Sequence, residues 1–527
     1  MSQEYKSMSL ANPEPGHLNA TQKSGLALGA IGILLLFVAM FGIGVQQPTL
    51  MLSASTVLMF TGALVYGYSS YMTSGPGIKN HGIWHRSLTN RGTWGWIAGI
   101  ILTGYYCLLY WAPTTLGLGT DGAANSGMIA LFDPLSRALN GNPASQWFMY
   151  GTLYTIAIFA MGIKFIWKYR HNKYQILRTI SVMFFQLGFA YLLPAFLEAM
   201  EKPYYDYKNM WPLNYYFFQG WSIDNMINSG TIGMSMLIWG FLMMIVVSPI
   251  LTYFYGKRWY CSWVCGCGGL AETAGDPWRH LSDKSLKAWK IERWLIHVIL
   301  VLVLIMSAAA VWAYVKGKGS ELAVSVDMMA ILMLILFAGL AGITYAFRKK
   351  LTASDLKARN IAYIVLGVIT GITVFAWLTG QYHLFFIDAY QYYKWYAFLV
   401  GAAFAGVIGV GFYPLMGSRV WCRFGCPMAA ILGLQQKLFS RFRITTNGGQ
   451  CISCGNCSTY CEMGIDVRSY AQKGQDVVRA SCVGCGICAA VCPRGVLRLE
   501  NGTVDLNNRT EDLRVIHISA DEVSILS

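Results

Sequence analysis

The chain has 527 residues, room for two or more domains. Hydrophobic residues make up 55% and charged residues 12%, with a mean hydropathy of +0.43, which excludes an ordinary soluble globular protein. The formal charge is +15, but the cations gather in loops along one side of a membrane, which excludes nucleic-acid binding as their purpose.

The first 24 residues are polar. They precede an apolar run too long for a signal-peptide core, so it reads as a retained helix. Ten segments have the length and composition to span a bilayer: 25–46, 50–70, 94–114, 148–168, 179–199, 230–255, 293–315, 325–346, 360–379 and 396–416. The loops alternate in charge. Loops 71–92, 164–178, 256–293 and 348–359, with the N-terminal tail, hold 22 Lys and Arg. The opposite set holds Arg137, Lys202, Lys208, Lys316, Lys318 and Lys394. The positive-inside rule then places both termini in the cytoplasm, with the protein in the cell inner membrane.

The external loops carry signals of their own. Residues 200–228 hold Tyr204, Tyr205, Tyr207, Trp211, Tyr215, Tyr216, Phe217, Phe218 and Trp221, and 381–395 is similarly aromatic. This reads as an interfacial aromatic belt, or as a docking surface for a partner or a quinone headgroup. Glu198 and Asp327 lie at the external ends of their spans. They are proton-acceptor candidates or groups that simply reach the interface. His81 and His85 share a loop, His297 lies in span seven and His383 at the opposite face. A haem would need two facing imidazoles at membrane depth, and no pair of spans supplies them.

Fourteen cysteines complete the picture. Cys107 sits alone in span three and reads as core. Past span six comes Cys261-Ser-Trp-Val-Cys265-Gly-Cys267, and past span ten Cys422-Arg-Phe-Gly-Cys426-Pro427. Each gives two thiols on one face of a helical turn. Together Cys261, Cys265, Cys422 and Cys426 offer four thiolates for a third cluster or a structural metal, with Cys267 as a spare. Disulfides or plain packing are the alternative.

Cys451, Cys454, Cys457 and Cys461 then form C-x2-C-x2-C-x3-C. Cys482, Cys485, Cys488 and Cys492 repeat it, followed by Pro493. Zinc sites use C-x2-C pairs, so eight cysteines in two such runs point to two [4Fe–4S] clusters. The runs resemble those of two-cluster ferredoxins. In those proteins the fourth cysteine of each run ligates the other cluster. The resemblance implies one cluster on Cys451, Cys454, Cys457 and Cys492, and another on Cys482, Cys485, Cys488 and Cys461. Glu462 stands where proline is usual. A strand is expected at Arg443-Ile-Thr-Thr. A closing hairpin is expected over Gly495–Leu506, turning at Asn501-Gly502. Iron–sulfur ligation suits a reducing compartment. Arg441, Arg443, Arg468, Arg479, Arg494 and Arg498 form a basic set that steers an acidic partner, stabilises reduced clusters, or is a solvated face.

The fold class is therefore an α-helical polytopic membrane protein of about ten spans with a small α+β two-cluster ferredoxin-like domain. The segments are a tail 1–24, helices over 25–255, a cysteine-bearing loop 256–292, helices over 293–416, a membrane-proximal cysteine segment 417–440, the ferredoxin-like domain 441–510 and a tail 511–527. Over residues 230–500 this combination resembles the membrane polyferredoxins of the NapH and NosR type. The resemblance implies electron transfer between quinol, or a respiratory partner, and a redox acceptor, in the manner of a quinol dehydrogenase subunit. Three features depart from the pattern. Gly266-Cys267 follows Cys265 where proline is usual, no flavin-binding domain of the NosR kind is visible, and the first five spans exceed the usual NapH count. Two alternatives stand beside it. One is an iron–sulfur membrane factor that reduces copper during oxidase assembly, whose relatives carry an additional C-terminal β-domain. The other is a subunit of an ion-translocating redox complex. The expected associates are membrane lipid, quinone and a redox protein partner.

Overall fold

The computed structural model describes residues 18–73, 86–318, 325–346, 353–502, 515–518 and 523–526. His81, His85 and the second half of the expected hairpin, 503–506, lie outside the described residues.

Among the described residues, seven helices are long and apolar enough to cross a membrane: Ala20–Ala39, Pro48–Met72, Gln146–Lys168, Lys173–Ala199, Gly230–Tyr255, Leu286–Lys318 and Arg359–Leu378. The three other expected spans are helical too. Thr93–Trp111 is one of them. Val326–Ala346 is the second. In the third, Ala389–Tyr396 runs on into Ala397–Ile408. Trp, Tyr and Gly dilute the apolar character of the first and third, and a helix of that composition needs protein neighbours on more of its face. Outward-facing Ile31, Leu34, Ile238, Ile245, Ile364 and Val368 are exposed, as a lipid-facing surface requires.

The first helix starts earlier than its apolar run. Asn19 and Gln22 form a capping box that satisfies its first N–H groups. It packs on the second helix through small residues. Gly25 and Gly29 face Gly62, and Ser55 Oγ donates to Gly32 O at 2.7 Å. A Cβ on Gly62 would come within 2.5 Å of Gly29 N. This is close backbone approach of the small-xxx-small kind.

The C-terminal domain is built on two antiparallel strands. β1 (Phe442–Thr446) precedes the first cysteine run and β2 (Leu497–Asn501) follows the second, with Ile444 opposite Leu499. The Arg443-Ile-Thr-Thr strand is thus present. Leu497–Asn501 pairs back across both cysteine runs to β1, so the domain closes on itself. The tail contains a separate antiparallel pair, Val515–Ile518 with Val523–Leu526.

The domain is seated on the helices, not tethered to them. Tyr174 Oη donates to Gly484 O at 2.8 Å, Gln175 Nε2 to Cys485 O at 2.9 Å, and Ser262 Oγ to Val483 O at 2.9 Å. Ser282 Oγ donates to Glu462 O at 2.7 Å. Gln436 bonds Arg479 O, Cys482 O and Lys257 N. One buried core runs from the helix ends through both strands.

Gly62→Leu should wedge the first two helices apart and cost about 1–3 kcal/mol. A lowered midpoint in detergent thermal unfolding checks it, while Gly29→Ala, on the same seam, should cost less.

Candidate metal centres

The two tail runs adopt matched conformations. Ser453 and Gly484 both have positive φ, 57° and 62°, and so do the next-but-one residues Gly455 and Gly486, 82° and 75°. Each left-handed turn leads into a short helix, Asn456–Thr459 and Ile487–Ala490. The chain therefore curls twice around a hollow with its sulfurs turned inward. At Gly486 a side chain would meet Tyr174 at 2.9 Å and Gln175 at 3.1 Å, so glycine also allows the domain to seat on the helices.

The first hollow is lined by Cys451, Cys454, Cys457 and Cys492. The second is lined by Cys461, Cys482, Cys485 and Cys488. In each, three thiols come from one run and the fourth from the other. This is the grouping that the ferredoxin resemblance implies. Ile465 N donates to Cys461 Sγ at 3.4 Å, the kind of amide-to-sulfur contact that supports a bound thiolate. Burial pushes the Cys482 thiol up to about 11 and that of Cys485 to about 12. Ligation by a cationic iron core would supply the missing counter-charge and displace those protons. Sulfur donors in two four-fold sets fit two iron–sulfur clusters.

The helix-end motifs come together as well. Cys261, Cys265, Cys422 and Cys426 are all buried in one core cluster, with Cys267 packed against it. They are free thiols, so the described structure holds no disulfide there. Cys265 and Cys426 each cap a helix, Gly266–Thr273 and Pro427–Phe439, with extended backbone. Ala429 N donates to Cys426 Sγ at 3.4 Å. Helix N-termini favour thiolate. Cys265 is pulled down by hydrogen bonding from Cys267 against its burial, whereas burial raises Cys261, Cys422 and Cys426.

The missing proline after Cys265 has a structural reason. A Cβ on Gly266 would come within 2.7 Å of Gln186 Oε1 and 2.9 Å of Lys208 Nζ. Lys208 belongs to the aromatic loop expected at the opposite face. That loop is not a simple belt. Tyr205, Met210 and Phe217 are buried, and Asp206 and Lys208 follow them inward. Lys208 Nζ lies 3.4 Å from Gln186 Oε1, and Tyr260 Oη donates to Asn209 Oδ1 at 3.4 Å.

Beside these cysteines lies a buried ionic network. Glu272 pairs with Arg178 and Arg419. Glu462 pairs with Arg419 at 3.0 Å and Arg279 at 3.2 Å. Asp276 pairs with Lys168 at 2.6 Å and Arg279 at 3.3 Å. Burial alone would raise Asp276, but Lys168 and Arg279 overcome it and hold it down to about 2. Burial would likewise raise Glu462, and its guanidinium partners hold it below the usual carboxylate range.

Apart from Glu462, noted as a departure from proline, these residues were not singled out from the sequence. Lys164, Lys168, Arg178, Lys257 and Arg279 counted there as loop cations that fix topology, yet all are buried. Part of the charge asymmetry is internal counter-charge. The signal was present: charges close to apolar spans and beside cysteine motifs are expensive and need a purpose. The other candidates find ordinary partners. Asn140 Nδ2 donates to Glu198 Oε2 at 3.0 Å, and Trp377 Nε1 to Asp327 Oδ1 at 2.7 Å. His297 bonds Arg293 O within its own helix, and His383 packs edge-on to Tyr382. The basic set divides. Arg468 and Arg494 line the first hollow, while Arg441 stacks over Tyr253 and Arg479 over Trp289.

A family model described as a 4Fe-4S dicluster domain matches residues 450–497. A second, described as a 4Fe-4S binding domain, matches twice, over 237–287 and 397–445. The chain therefore carries 4Fe–4S domains of ferredoxin type, and the second model falls on the two helix-end motifs. A curated relative in Escherichia coli (strain K12), named "Putative electron transport protein YccM", is 21% identical over 237 residues. The alignment covers 44% of this chain and 48% of that protein, so the chain spans about half the length of the relative it matches. No solved structure matches.

Replacing Cys422 with Ser should lower the anaerobic iron content from about twelve to about eight per chain, because each cubane holds four irons. Iron and acid-labile sulfide assays with EPR check this. An unchanged count would rule out a cluster at the helix ends.

Proposed function

We propose that this chain is a membrane-bound iron–sulfur electron carrier of the NapH and NosR type. Single electrons move between the quinone pool, or a membrane partner, and a redox acceptor through three centres. One centre sits on Cys261, Cys265, Cys422 and Cys426. The others are the two clusters of the ferredoxin-like domain, with the crossed ligand sets of the two hollows. In this reading the ten helical segments span the inner membrane and the domain faces the cytoplasm.

The observation that carries the reading is that the tail cysteines line two hollows, four to each, while Cys261, Cys265, Cys422 and Cys426 are buried together in the core that reaches both tail runs. Iron–sulfur clusters supply one-electron chemistry when bound. The chain's own part is to hold them close, exclude water and set the surrounding charge. The dicluster match and the electron-transport name of the relative agree with it. The domain is bonded to the helix ends at Gly484, Cys485 and Val483, so the cluster loops ride on the same framework as the helix-end thiols. A carrier needs that short, fixed separation.

In sealed proteoliposomes, the clusters should exchange electrons with a menaquinol–menaquinone couple. The Cys422→Ser variant should keep the dicluster signals and lose most of the rate. Full exchange with dithionite but none with any quinone would exclude the quinone pool as the direct partner.

A further inference from the structure

Glu462 occupies the place where Pro493 stands in the second run. It is fully buried. One of its neighbours, Arg419, reaches in two directions. Its Nε lies 3.0 Å from Glu462 Oε1, and its Nη1 lies 3.7 Å from Cys422 Sγ and 3.2 Å from Cys261 O. A single guanidinium thus bridges a thiol of the helix-end quartet and the carboxylate next to Cys461. On the other side, ligand atoms of Glu462, Glu272 and Cys485 lie within 4.8 Å of one another. These three do not form a separate metal site. Both carboxylates are already held by guanidiniums, and Cys485 lines the second hollow.

Stability does not explain the arrangement. Two buried charges cost desolvation that their attraction roughly returns, and an apolar pair of similar volume does as well or better. Proline already performs the structural task in the second run. What a buried charge does supply is a local potential. A four-thiolate cubane is anionic and gains a further negative charge on reduction. A nearby cation therefore favours the reduced form and a nearby anion the oxidised form, strongly so in a low dielectric. The helix-end quartet meets Arg419 and, beyond it, Lys208 and Lys257. At the Cys485 side of the second hollow the carboxylates of Glu462 and Glu272 approach the sulfur itself, with Arg279 and Arg178 acting against Glu462.

We propose that Arg419 and Glu462 are an oriented charge pair that sets the potential step between the helix-end centre and the cluster on Cys461, Cys482, Cys485 and Cys488, so that the electron is favoured on the helix-end centre. This rests on the electron-carrier reading and adds a direction to it: electrons entering at the ferredoxin-like domain run downhill toward the membrane. Arg419 and Glu462 are positioning residues and carry no electron themselves.

The test is a potentiometric titration of the full-length protein in detergent, followed by EPR, with each centre assigned from its cysteine variant. Glu462→Gln should raise the dicluster-domain centre more than the helix-end centre. Arg419→Gln should lower the helix-end centre more. Both narrow the gap, by shifts of opposite sign. Arg279→Gln strips the same carboxylate of its other cation, so it should lower the dicluster-domain centre alone and widen the gap. It also provides the sign test should either of the first two lose iron. Glu462→Asp and Arg419→Lys keep the charge and should restore most of the step. Unmoved potentials, or shifts of one common sign in the Glu462 and Arg419 variants, overturn the proposal, since simple loosening of the site would act alike in both. Anaerobic protein with no iron–sulfur signal at all would instead overturn the electron-carrier reading.

Discussion

Everything in this molecule follows from the difficulty of gathering four sulfurs around one point. A tight loop presents three. The fourth must come from elsewhere in the chain, and here each tail run lends its last cysteine to the other's hollow. That exchange closes the domain. It draws β1 and β2 together across both runs and fixes the short helices between them. The same difficulty recurs at the helix ends, where two C-x3-C turns from distant parts of the sequence meet in one core.

Burying so much sulfur creates a second constraint. Thiolates in a low dielectric need counter-charge. The chain draws it from iron where clusters bind and from buried cations where helices meet the domain. Arg178, Arg279 and Arg419 are fully or almost fully enclosed, and Lys168, Lys208 and Lys257 are nearly so. The arginines and Lys168 in turn need carboxylates, and Glu272, Asp276 and Glu462 supply them. The ionic network is therefore a consequence of the cysteines. It also explains why the domain is seated so firmly on the helices, since Glu462 from the domain and Arg279 and Arg419 from the helix ends share one buried set of charges.

Much of this was legible in the sequence, and the reason is spacing. The tail cysteines are close in the chain, so their runs are recognisable, and the resemblance to two-cluster ferredoxins implies the crossed sets. The helix-end motifs were recognisable because each repeats C-x3-C beside Trp and Arg. Helix positions came through from apolar run length, although the Asn19 cap and the Tyr-rich helices depart from that signal. The rest was hidden by distance. Lys208 lies in a loop whose aromatic content suggested an interface, and only the fold brings it to Cys265. Arg178 and Arg279 looked like topogenic loop charges. Glu462 was visible only as a departure from proline, and its partners lie 43 and 183 positions away along the chain.

The exchange of the fourth cysteine is the claim to test first. EPR of anaerobic Cys461→Ser should match the spectrum of Cys482→Ser, with the cluster of the first run left intact, and Cys492→Ser should match Cys451→Ser. If Cys461→Ser instead removes the same signal as Cys451→Ser, each run keeps its own four ligands and the crossed arrangement is wrong.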